Sequence, residues 1–580
     1  MEMNHILEKL PRHLMQLVID QPYNSYTAQD HAVWRYVMRQ NVRYLSKVAY
    51  GSYLDGLKRT GISIDSIPHM YGMNRILKEI GWAAVAVDGF IPPAAFMEFQ
   101  AYNVLVIAAD IRPIDQIEYT PAPDIIHEAA GHAPIIADPE YAEYLRLFGI
   151  IGSKAFSSAR DYEIYEAVRH LSILKADPYT SSEAIAKAEK GLAEAEAIQE
   201  TPSEMSRIRN LHWWTVEYGL IGDLQNPKIY GAGLLSSIGE SYSSLQPQVK
   251  KLPYSIEASN YNFDITTRQP QLFVTPDFKH LTDVLLEFEK TMALRTGGMY
   301  GVMKAIESGY TGTCVYSSGL QVSGTFQEMI IHREAPVYIK TEGPSQLCIE
   351  GRQLEGHGKD HHNHGFSAPV GKLKDIATPL ELLTDGDLEN LGLVTGKNVL
   401  LAFESGVIVE GTLHKIWREK GRVILMTFTD CTVTFRDRVL FQPEWGTYDM
   451  AVGEKIISAY SGPADPFAFD LEYPVPKEKT HKIVHSPESI RLHNLYQAVR
   501  DIREKGNDRM KLHEIWQQVS RQYPEEWLLP MEILEIAAGK RQDELLHKEI
   551  KKYLDDKKAA DQGLEALIEN GYALISGLNE

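Results

Sequence analysis

The chain has 580 residues, enough for about two to four domains that each bury a core without disulfide or metal staples. Its 59 basic and 78 acidic residues leave a net charge of −19, which argues against nucleic acid or an anionic membrane surface as a partner. Three scattered cysteines, Cys314, Cys348 and Cys431, exclude a disulfide framework and a thiolate zinc site.

In chain order, Met1–Leu10 has no basic flank followed by an apolar stretch, so no secretory signal is expected. No apolar run approaches the roughly 20 residues of a membrane helix. A cytoplasmic protein is the expectation. Thr27 reads as an N-cap, and Val33, Tyr36, Val37 and Gln40 continue at helical spacing. Helical patterns punctuated by Pro and Gly persist to about residue 304. Within them, residues 153–206 form an Ala/Glu/Lys-rich stretch that reads as a solvated helical hairpin, an insertion or packing arm rather than a site.

Residues 305–480 are rich in β-branched residues and Gly, and carry a weak internal repeat. Ser318–Phe326 resembles Ser405–Leu413, and the β runs Val337–Lys340 and Val423–Met426 follow the two copies, which suggests two related β modules. Between the copies, Gly356–Gly365 holds four histidines; its glycines and charges predict a mobile, solvated loop, with no buried acid or cysteine expected nearby in sequence to complete a metal site. From residue 481 the pattern returns to helix, with Ser486 as N-cap, Pro487 in the first turn and Leu492, Leu495, Val499 and Ile502 on one face. The expected architecture is multidomain α+β: a mostly helical region 1–304, a β-rich region 305–480 and a helical region 481–580.

The strongest chemical signal is Pro121-Ala122-Pro123-Asp124-Ile125-Ile126-His127-Glu128-Ala129-Ala130-Gly131-His132. Zinc peptidases place two histidines four apart on one helical face. Here they stand five apart, and five steps of roughly 100° turn the second ring away from the first. Both reach one ion only if the helix ends between them, a break for which Gly131 is suited. Further on, Glu217 sits among aromatics in Leu211-His212-Trp213-Trp214-Thr215-Val216-Glu217-Tyr218-Gly219-Leu220, where burying an acid is costly unless it is paired or binds metal. Two histidines and a carboxylate make the facial triad of non-haem Fe(II) oxygenases, and a zinc peptidase uses the same ligand types, so ligand identity alone leaves both open.

From about Thr27 to about Gly298 the chain resembles the pterin-dependent aromatic amino acid hydroxylases. The motifs, in order, are Val87-Asp88-Gly89-Phe90-Ile91-Pro92-Pro93, the His127–His132 segment, Trp213–Gly219 and Tyr230-Gly231-Ala232-Gly233-Leu234-Leu235-Ser236-Ser237. The resemblance implies a mostly helical catalytic domain around a mononuclear Fe(2+), and a monooxygenase that uses O2 and a tetrahydropterin (tetrahydrobiopterin or a relative) to hydroxylate the ring of an aromatic amino acid. It places the iron ligands at His127, His132 and Glu217. It assigns Arg112 to the substrate carboxylate, Thr120 to the substrate backbone, and Pro123 and Trp213 to the walls of an aromatic slot. Ser236 supports an iron-ligand histidine beside the substrate. Phe96 matches the aromatic that stacks on the pterin, Phe90 and Ile91 the loop along the same ring, and Glu128 the acid that reaches pterin through water.

The chain also departs from the family pattern. The interval from His132 to Glu217 is longer than usual, and His212 stands where animal members commonly have Tyr, so it is expected to pack at the edge. The motifs begin too near residue 1 for a preceding regulatory domain, and residues 305–580 have no counterpart. Trp213 and the apolar Ile265 favour phenylalanine as substrate, giving L-tyrosine; tryptophan or tyrosine hydroxylation is the alternative within the family. Outside it stand an interaction protein with vestigial catalysis and, less favoured by the His spacing, a metalloprotease. A homo-oligomer or protein partner is expected, if anywhere, through the C-terminal regions.

Overall fold

The Thr27 hydroxyl accepts the Asp30 N–H at 3.1 Å while the Asp30 carboxylate takes the Thr27 N–H at 2.7 Å, a reciprocal cap that starts the helix Ala28–Val48. The computed structural model describes residues 4–89, 91–118, 123–176, 180–197, 201–264, 267–473, 485–506, 508–538 and 543–577. From His31 to Met38 every residue of this helix is buried, polar and apolar alike. Such a helix has neighbours on all sides. Around it lie the helices of the first half and two small sheets, one of which pairs Ala83–Val87 with Val104–Ala108 in parallel, with the helix Pro93–Ala101 as crossover.

The strand-rich region contains two antiparallel sheets. In the first, Thr311–Tyr316, Leu320–His332 and Ala335–Ile349 follow one another, with Ile456–Ser461 on the outer side and Ser367–Pro369 along the far strand. The second holds Asn398–Ala402, Val407–Glu419, Arg422–Phe435 and Arg438–Phe441, with Tyr448–Ala451 also paired to Arg422–Phe435. The internal repeat is therefore structural: each copy runs from a tight turn into the first strand of a long hairpin. The helix Gly298–Ser308 leads into this region and packs Val302 and Ala305 in one core with Cys314, Leu320 and Ile339.

Ser486 caps the helix Pro487–Lys505 through the Ser489 N–H, and Val499 and Ile502 are buried. Four further helices, Lys511–Gln522, Leu528–Ala537, Glu544–Ala560 and Gln562–Gly577, complete the C-terminal region. They share one hydrophobic core with the helix Ala28–Val48. Tyr36 meets Trp527 edge-on at 5.3 Å, and its hydroxyl donates to the Leu567 carbonyl at 2.6 Å. Arg35 donates to Glu535 at 2.8 Å and to Glu532 at 3.1 Å, and Arg39 and Arg503 close on the same two acids. Among the described residues no helix is long and apolar enough to cross a membrane.

That charge network is buried, so removing one member strands the others. Glu535→Ala is expected to cost roughly 3 kcal/mol of stability, read as a lower urea midpoint at unchanged slope. An unchanged midpoint would mean that the C-terminal helices contribute little to the core they share.

Candidate metal centre and its cleft

The helix does not break between the two histidines. Ile126–His132 is a π-helix that passes through Gly131 and continues as the helix Ala133–Ile136. Hydrogen bonds running i→i+5 widen the turn, so residues five apart return to one side. His127 Nε2 and His132 Nε2 consequently stand 3.2 Å apart. Gly131 serves a different purpose from the expected one: a Cβ there would lie 2.6 Å from the carbonyl oxygen of Ala232. The missing side chain lets the short helix Ala232–Leu235 pack against the π turn.

A second π turn, Trp213–Glu217, is closed by the Tyr218 N–H donating to the Trp213 carbonyl at 2.8 Å. Glu217 Oε2 lies 3.2 Å from His127 Nε2, and its Oε1 lies 3.3 Å from His132 Nε2. Donors sharing one first-row divalent ion at about 2.0–2.2 Å are expected to lie about 3 Å from one another. The contact between the imidazoles and the two contacts to the carboxylate satisfy that, each imidazole facing a different oxygen of Glu217. Glu128, the other acid at hand, lies 3.8 Å from His132. Glu217 is thus the better third donor.

Ser236 decides which nitrogen of His127 faces the triangle. Its hydroxyl lies 2.8 Å from the Ala232 carbonyl oxygen and 3.1 Å from His127 Nδ1. The carbonyl can only accept, so the hydroxyl donates to it and accepts from Nδ1–H. Nε2 is left to face Glu217 and His132. Burial opposes charge on the His127 ring, but the Glu217 carboxylate outweighs it and raises the ring to about 9. Burial likewise acts against charge on Glu217, yet His132 and His127 hold it well below the usual carboxylate range. Without an ion, a proton does the ion's work between these groups.

The triangle opens into a cleft of about 1190 Å³ lined by Ile91, Phe96, Pro123, Glu128, Trp213 and Glu217. Trp213 stacks on Phe263 at 4.2 Å, nearly parallel, with Tyr218 at 4.6 Å, so one flat aromatic surface bounds the cleft. His212 does pack against aromatics, between the edges of Phe96 at 5.7 Å and Phe148 at 5.3 Å, but it also lines the cleft, with Nδ1 3.9 Å from Glu217. Burial pushes its ring down to about 4, so it stays neutral there. Burial also raises Glu128, whose Oε2 has no hydrogen-bond partner among the described residues.

The charged hairpin is more than an arm. Its helices Ala159–Ala176 and Ser182–Glu196 supply Asp161, Tyr165, Lys175 and Glu196 to the wall of the same cleft. Arg112 is buried, and its partner is Asp124 rather than Asp110 or Asp115, the acids nearest in sequence: Nε and Nη2 each donate to the carboxylate at 2.8 Å. Asp124 also accepts the N–H groups of Arg112 and His127 at 3.0 Å. Burial alone would raise its carboxyl, and Arg112 keeps it lowered instead. One edge of the guanidinium is thus spent on Asp124, and no hydrogen bond from Nη1 is seen among the described residues. Sequence reasoning missed Asp124 and Phe263. Asp124 was within reach, since an acid just before a helix reads as a cap; Phe263 carried no local signal. Phe90, Thr120 and Ile265 lie outside the described residues.

Two outcomes test this geometry. Gly131→Ala drives a methyl group against the Ala232 carbonyl and displaces the helix that carries Ser236, so affinity for a divalent probe such as Co(II) is expected to fall about tenfold or more. Wild-type affinity in equilibrium dialysis would refute the close-approach argument. Because His127 stays protonated below about pH 9, ion binding at neutral pH must expel that proton. A weakly buffered titration at pH 7 is expected to release close to one proton per ion, and apparent affinity to rise with pH until about 9; a pH-independent affinity contradicts the assignment.

Residues 18–166 and 153–303 match the sequence profile described as "Biopterin-dependent aromatic amino acid hydroxylase". The phenylalanine-4-hydroxylase of Pseudomonas aeruginosa is 27% identical over 270 residues, covering 46% of this chain and 86% of that protein. The phenylalanine-4-hydroxylase of Chromobacterium violaceum is 28% identical over 268 residues (46% and 75%), and the tryptophan 5-hydroxylase of Xenopus laevis 27% over 285 (48% and 50%). A crystal structure of the C. violaceum phenylalanine hydroxylase with bound iron(III) and 7,8-dihydrobiopterin aligns at 25% identity over 50% of this chain and 92% of that one, with a TM-score of 0.38. On its sequence match across residues 18–303, this chain belongs to the biopterin-dependent aromatic amino acid hydroxylases.

Proposed function

We propose that this chain converts L-phenylalanine to L-tyrosine, with ferrous iron held by His127, His132 and Glu217 and a tetrahydropterin in the adjoining cleft. The observation that carries this reading is the triangle of three donors 3.2–3.3 Å apart at the head of an aromatic-walled cleft. Its donor set, two imidazoles and one carboxylate, leaves coordination positions for oxygen. The relatives named as phenylalanine-4-hydroxylases favour phenylalanine over tryptophan. When bound, the iron and pterin supply the oxygen activation.

The chain's own residues do the rest. Ser236 holds the His127 ring with Nε2 toward the triangle. Arg112 receives the substrate carboxylate on its Nη1 edge while Asp124 holds the other edge still. Trp213, backed by Phe263, and Pro123 take the substrate ring, and Phe96 and Ile91 take the pterin. Glu128, which lines the cleft, reaches the pterin through water. Apolar walls keep bulk water from the reacting ring. In this reading residues 1–304 perform the catalysis, with the 153–206 hairpin closing one side of the cleft, and residues 305–480 and 481–580 are appended to them.

The direct test supplies purified protein with ferrous iron, tetrahydropterin, oxygen and each aromatic amino acid in turn. Pterin-dependent tyrosine formation from phenylalanine is expected, with kcat/KM exceeding that for tryptophan. A reversed preference replaces the substrate. Peptide cleavage with zinc would support a protease, and no turnover at all would support an interaction role. For Arg112, the informative quantity is the preference for phenylalanine over phenethylamine, which lacks the carboxylate. Arg112→Lys is expected to narrow that ratio by roughly 10- to 100-fold, the worth of a charged hydrogen bond of about 1.5–3 kcal/mol. A purely structural arginine would lower both rates and leave the ratio unmoved.

A further inference from the structure

The histidine-rich loop does not behave as a solvated tether. It joins Arg352–Gln353 to Ser367–Pro369, and its backbone is tied to the strand Ala335–Ile349, with the Leu347 N–H donating to the His357 carbonyl and the Ser345 N–H to the His362 carbonyl, both at 3.0 Å. His357 and His362 are buried, and His361 stands half exposed beside them. Asp360, within the loop, is exposed, and the buried acid comes from far downstream: Asp449, on the strand Tyr448–Ala451 of the second sheet, is 5% exposed.

Four potential donor atoms converge there. His357 Nδ1 lies 3.2 Å from His362 Nε2 and 3.7 Å from Asp449 Oδ2, and His361 Nε2 lies 2.8 Å from the same oxygen. All four atoms lie within 4.8 Å of one another. A tetrahedral zinc ion with bonds of about 2.0–2.1 Å has ligand–ligand edges of about 3.3–3.4 Å, and the separations of 2.8, 3.2 and 3.7 Å straddle that value. Asp449 has no Lys or Arg partner within 4 Å among the described residues; only His357 and His361 face it as possible cations. A buried carboxylate so placed calls for a compensating positive charge. Its other oxygen is already fixed, accepting the Thr427 hydroxyl at 2.7 Å, and Thr427 in turn accepts the Trp417 indole N–H at 3.4 Å. Metal-ligating carboxylates are oriented by this kind of outer contact.

We propose that His357, His361, His362 and Asp449 form a second, structural metal site that takes Zn2+. Four protein donors fill a tetrahedron and leave no position for substrate, unlike the three-donor centre in the cleft. The ion clips the loop of the first sheet to a strand of the second, fastening together the two β modules. Three imidazoles and one carboxylate carry a zinc ion at net charge +1, and no thiolate is required.

The test uses the full chain with His127→Ala, so that the cleft site does not compete, stripped with chelator and titrated with Zn2+ against a chromophoric chelator. One tight equivalent is expected to remain. Adding His361→Ala, a half-exposed side chain whose loss leaves the fold in place by circular dichroism, is expected to weaken it about tenfold or more, and Asp449→Asn to do the same. Zinc is expected to raise the thermal midpoint of the His127→Ala chain and to raise that of the His361→Ala derivative by less. Absence of a tight equivalent in the His127→Ala chain overturns the proposal, as does zinc affinity that neither His361→Ala nor Asp449→Asn changes.

Discussion

Glu217 is an acid placed in the interior, and the catalytic half is arranged around making that tolerable. Its cost is met by two imidazoles 3.2–3.3 Å away, both delivered by one helical turn wider than an α-helix provides, while a second such turn carries Glu217 itself. The wider turns need company. The short helix Ala232–Leu235 lies so close that neither Gly131 nor Gly231 has room for a side chain; a Cβ on Gly231 would meet the Glu217 carbonyl oxygen at 2.5 Å. The same helix ends at Ser236, which orients His127. Backbone packing and donor direction are therefore one constraint.

Around that centre the polar groups are held by other protein groups before any small molecule arrives. Asp124 grips one edge of Arg112 and at the same time accepts the N–H of His127, so Arg112 and the first imidazole share a single buried acid. A group pre-set in this way loses little freedom when it binds. The hairpin that lengthens the interval between the histidines and Glu217 adds charged and aromatic side chains to the cleft, which gives this member of the family a wall of its own making.

The C-terminal helices pack against the helix Ala28–Val48 through Tyr36, Trp527 and the Arg35–Glu532–Glu535 network. They belong to the core rather than hanging from it. The β modules are joined to the first half by the helix Gly298–Ser308, which packs on their first sheet.

Much was legible in the residues alone. The caps at Thr27 and Ser486, the change from helix to strand and back, the repeat that becomes two hairpins, and the motifs that mark the family are all local patterns, and local patterns report backbone preference and spacing. What the sequence could not settle depends on contacts between distant positions. The five-residue His spacing read as a helix end, because an α-helix separates such rings; only packing against Ala232 selects the wider turn. Arg112 had two nearer acids in sequence, yet the chain folds Asp124 onto it. The histidine loop read as solvated because the buried acid beside it, Asp449, lies on another sheet, and neither that contact nor the burial of His357 and His362 is visible in local sequence. Sequence order encodes which residues exist and how each segment prefers to fold; which carboxylate reaches which cation is decided by tertiary proximity, where the cost of burying charge is settled.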